Sequence, residues 1–113
     1  ALVALLVHGK FGDAAKEMTE LAQICEATAT RVISDVDGEP LTIVLKVLGL
    51  SRAKFADALI ALQDSETSTL RKNRNPAELQ SIFDSMSFNK ARVLLTYWDW
   101  AAQKSGPYTQ LAA

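Results

Sequence analysis

The chain has 113 residues, 49% hydrophobic and 22% charged, and its twelve Lys and Arg against thirteen Asp and Glu leave a net charge of −1. That length suits one domain, large enough to bury roughly two-thirds of its unfolded surface without a disulfide or metal staple. The charge balance argues against bulk nucleic acid or an anionic membrane as partner, and a single cysteine, Cys25, excludes an internal disulfide and fits a reducing, cytoplasmic setting.

Seventeen Ala and fifteen Leu against five Gly and three Pro favour helix over sheet or disorder. The apolar opening Ala1–Val7 is far shorter than the ~20 residues of a membrane span and lacks the basic and small-residue flanks of a signal peptide. It reads as the last turns of a buried helix over about 1–8, closed by Gly9. With no cap or initiator Met before it, the chain is expected to be the C-terminal part of a longer protein.

Helical spacing then recurs along the chain. Met18, Leu21 and Ala22 stripe a helix of about 13–23, and Ala29, Val32 and Ile33 one of about 26–34. A helix of about 40–48 is apolar nearly all round and is expected to be central. Phe55, Leu59 and Leu62 mark a helix over about 51–63, followed by the polar run Asp64–Arg74, which reads as a mobile, solvated loop despite its Arg71-Lys72-Asn73-Arg74 cluster. Leu79, Ile82, Phe83 and Met86 mark a helix over 76–85; Ala91, Leu94, Leu95 and Trp98 form the inner face of one over about 88–103. Residues 104–113 read as a loose C-terminal tail.

Residues 12–27 can be laid on residues 38–53 at an offset of 26, and a weaker third copy lies 36 residues further on. The matched positions have matched jobs. Asp13, Glu39 and Asn75 fall where a helix N-cap or first-turn acceptor belongs, and Pro40 and Pro76 fall at first helical positions. Cys25, Ser51 and Ser87 open each second helix after an apolar corner residue. The expected architecture is all-α without sheet: a right-handed, HEAT-like stack of helical hairpins, about six to seven helices in one domain over 1–103, with hairpins at about 12–34, 38–63 and 75–103.

Asp35-Val-Asp37-Gly38-Glu39 invites a calcium reading, but a calcium loop begun at Asp35 would need Gly and Glu where Pro40 and Lys46 stand. Asp37, Gly38 and Glu39 instead read as a tight turn with acid near a helix N-terminus. Nothing ties the lone His8 to Cys25 or a serine, and neither a ligand cluster nor a glycine-rich phosphate loop is present. No catalytic role, metal or cofactor is expected.

Val44–Leu59 looks like a helix-turn-helix, with Arg52 and Lys54 opening the recognition helix after the Ser51 cap. The same layout recurs at Leu21–Ile33 with Glu26, Thr28 and Thr30 replacing the basic residues, so packing geometry explains it better than DNA binding. On the last helix, Val93, Tyr97 and Trp100 form a second stripe turned away from the inner face. That stripe either lies under the C-terminal tail or forms a surface for a partner.

The Asp35-Val-Asp-Gly-Glu39 turn, its apolar helix and Leu48-Gly-Leu-Ser-Arg-Ala-Lys-Phe-Ala56 together resemble a family of uncharacterised all-helical proteins of alphaproteobacteria with HEAT-like repeats. The resemblance covers about residues 1–103, departing at Leu45 and Lys46, where the family often has cysteine and arginine. It implies a helical fold and a cytoplasmic bacterial origin and brings no catalytic residues. The expected function is protein–protein interaction in scaffolding or regulation, with a DNA-binding module using the Ser51–Lys54 helix start as the alternative.

Overall fold

In a computed structural model the chain is described over residues 2–65 and 75–104. Those residues form seven helices and no strand: α1 (Leu2–Val7), α2 (Phe11–Ala22), α3 (Glu26–Ser34), α4 (Glu39–Val47), α5 (Arg52–Asp64), α6 (Pro76–Ser85) and α7 (Phe88–Lys104). Most of the polar run after α5, with its Arg71–Arg74 cluster, and the tail beyond α7 lie outside the described residues.

Helix α4 sets the arrangement. From Pro40 to Leu48 no residue is exposed, and Ile43, Val44 and Leu45 are among the most buried. It packs on α7, α6 and α3, while α1 bridges α2 and α5. Thr42, buried in this apolar setting, satisfies its hydroxyl by donating to the Gly38 carbonyl at 2.8 Å. Lys46 is half-buried and places its ammonium 4.3 Å from the centroid of the Phe83 ring, which in turn stacks on Phe55 at 4.3 Å. A cation over an aromatic face recovers part of what desolvation costs, so one charged side chain joins α4, α5 and α6.

The three expected hairpins are not equally hairpin-like. Helices α2 and α3 pack side by side, whereas α4–α5 and α6–α7 are not among the extensive helix pairings. Each partner instead packs elsewhere, α5 on α6 and α4 on α7. The stripe expected on α2 is also corrected: Met18 and Ala22 are buried with Ala14 and Ala15, but Leu21 is exposed. The small residues one turn earlier define the inner face, since they let α2 lie close to its neighbours.

Two of the matched corners share a backbone hand. Gly49 has φ +85° and its offset-26 counterpart Gln23 has φ +57°, both left-handed, each followed by an apolar residue and then a helix start. After α1 and α4 the backbone closes in the same way: Lys10 N–H donates to Leu5 and Gly9 N–H to Leu6, while Leu50 N–H donates to Leu45 and Gly49 N–H to Lys46. Both closures satisfy last-turn carbonyls and need a left-handed residue, here glycine. At the next helix starts, Ser51 accepts from Lys54 N–H at 3.2 Å and Ser87 from Lys90 N–H at 3.1 Å. Asn75 caps α6 by accepting from Ala77 N–H at 3.0 Å, whereas Asp13 and Glu39 sit in the first turns of α2 and α4.

Gln23 is the one non-glycine residue with positive φ among the described residues. Left-handed backbone strains a side-chain-bearing residue, so Gln23→Gly should raise the urea midpoint, with a gain of about 0.5–1 kcal/mol. Conversely, Gly49→Ala should cost about 1 kcal/mol, and the cost is purely conformational because a Cβ there would meet nothing within 4 Å.

Candidate functional site

The longest helix, α7, divides its surface among three tasks. Ala91 and Leu95 are fully buried against the core, with Leu94 and Trp98 half-buried beside them. On the outer side Val93 is 69%, Tyr97 61% and Trp100 53% exposed. The Tyr97 and Trp100 rings lie 6.2 Å apart at a tilt of 32°, so these side chains run together along one side of the helix. The tail considered as their cover is outside the described residues.

Between these faces runs a polar edge that sequence reading missed. Arg92 and Asp99 are seven residues apart, two turns on one side of α7. Arg92 donates to the Ala22 carbonyl at the end of α2 at 2.7 Å. Asp99 Oδ1 accepts from the Cys25 N–H at 2.8 Å and from the Thr28 hydroxyl at 2.8 Å, at the start of α3. A cation thus meets the negative end of one helix and an anion the positive end of the next. Cys25 occupies the N-cap position but makes no side-chain cap bond; its sulfur lies 3.2 Å from the Thr28 hydroxyl. A thiol accepts hydrogen bonds weakly, so the job that Ser51 and Ser87 do locally is done here by Asp99. His8 is exposed at the end of α1, and the contacts of Cys25 are with Thr28 and Asp99.

Burial alone pushes the Asp99 carboxyl up, but hydrogen bonds from the Cys25 N–H and thiol, from Thr28 and from Gln103 outweigh it and hold the group below its ordinary value.

The Asp35–Glu39 turn is also structural in its backbone. Asp35 Oδ1 accepts from Asp37 N–H at 2.9 Å, and Gly38 takes φ +80° to start α4. Its three acids form no metal site: among the described residues no group of His, Cys, Asp or Glu could hold an ion. On either side of Trp98 the surface opens into a cavity of about 270 Å³. One reaches Thr28, Arg31 and Val32 on α3, the other Asp37, Glu39 and Ile43 at α4 and Ile82 and Met86 on α6.

At the α4–α5 corner, Arg52 and Lys54 are exposed at the start of α5, and an Arg52 nitrogen lies 3.1 Å from an Asp84 oxygen on α6. The exposed side of α5 goes on through Asp57, Ile60 and Asp64. A helix laid in a DNA groove along that side would set two carboxylates against phosphates, which is unfavourable.

These features define an all-helical domain whose polar groups mainly close helix ends, and no helix among the described residues is long and apolar enough to cross a membrane. The chain belongs to the family described as "Uncharacterised protein conserved in bacteria (DUF2336)", whose model matches residues 1–96. Tyr97, Trp98, Asp99 and Trp100 follow directly after that match. No curated protein and no solved structure matches the chain.

Because the folded-state value of Asp99 lies below its unfolded one, its ionised form adds stability at neutral pH that is lost as the pH falls through ~4 and lower. Asp99→Ala leaves the Cys25 N–H and the buried Thr28 hydroxyl without this acceptor and should cost about 1–3 kcal/mol at pH 7. Asp99→Asn, which keeps an acceptor, should cost less. Urea unfolding at pH 7 and pH 3 should show the gap between wild type and Asp99→Ala narrowing in acid.

Proposed function

We propose that this chain is a non-catalytic helical-repeat module of the bacterial cytoplasm that docks another protein, in a scaffolding or regulatory role. The observation that carries the reading is the outer strip of α7: three large apolar side chains on one helix face, each more than half exposed. Aromatic residues gathered in one patch are the usual anchors of protein interfaces. The inner face of the same helix is occupied by the core and its edge by helix ends, so the strip lies on a firmly held support. A protein surface fits it better than duplex DNA, because its outward residues are apolar and the corner with Arg52 and Lys54 carries acids along the rest of its exposed side.

Affinity capture from the native bacterium with wild type, Trp100→Ala and, as a control on another face, the exposed Ile60→Ala tests this reading. A bound protein should be recovered at least tenfold less well by Trp100→Ala, the loss typical of truncating an anchor worth roughly 1.4 kcal/mol or more, and equally well by Ile60→Ala. Equal recovery by all three overturns the role of the strip.

A further inference from the structure

No further inference is drawn: the strongest candidate, the aliphatic opening of about 400 Å³ between Leu2 and Val3 of α1, Leu21 of α2 and Leu48 and Leu50 at the α4–α5 corner, is an unpartnered apolar face, and nothing in the structure shows what covers it.

Discussion

A nine-residue helix with almost no polar face is the constraint around which the other helices are placed. Once α4 forms, Ile43, Val44, Leu45 and Val47 must all leave water, and no single neighbour can cover residues that point in every direction. The chain meets this by bringing α3, α6 and α7 against it. Two of the three come from far along the sequence, and their packing is non-local. The only charge within the buried stretch, Lys46, is accommodated because its ammonium finds the face of Phe83. Apolar burial supplies the driving force, but it is non-directional, and it does not by itself say how α7 should lie.

Direction comes from the polar edge of α7. Arg92 at the end of α2 and Asp99 at the start of α3 fix the helix at two points, two turns apart. Unpaired backbone groups at helix ends are costly when covered by protein, so a displacement of α7 along its axis would break both contacts at once. Ser65 does similar work at the other side of the molecule, donating to the Val7 carbonyl at 2.5 Å and joining the end of α5 to the end of α1. In this near-neutral chain charge acts locally, at helix ends, rather than as a long-range field.

Much of this was legible in the residues. Pro40 and Pro76 mark helix starts because their missing N–H is harmless there, and Ser51 and Ser87 cap in the way their spacing implies. The offset of 26 that lays Gln23 on Gly49 found two backbones of the same hand. The outer strip was legible too, since 100° per residue separates Val93, Tyr97 and Trp100 from the inner face without further information. What stayed hidden is what depends on partners. An all-apolar helix announces burial but not which helices will cover it, so the pairing of α4 with α7 could not be read. Leu21 fits the α2 stripe by spacing, yet the closer approach of Ala14 and Ala15 turns it outward. Asp99 resembles any solvated acid on a helix until the corner it closes, with Cys25 lying 74 residues away, is in place. The cavities beside Trp98 exist only once α3, α4, α6 and α7 have met.

The same rigidity bears on function. Binding through a mobile surface loses conformational entropy on ordering, whereas a surface already fixed by the core loses little. The proposed surface on α7 meets that condition, because the helix is held at its edge by Arg92 and Asp99. The strip is apolar at Val93, Tyr97 and Trp100, and the exposed Lys90 lies one turn before it on the same side of the helix. One helix therefore joins the outer strip to the core, and the Arg92–Asp99 edge fixes how that strip is presented.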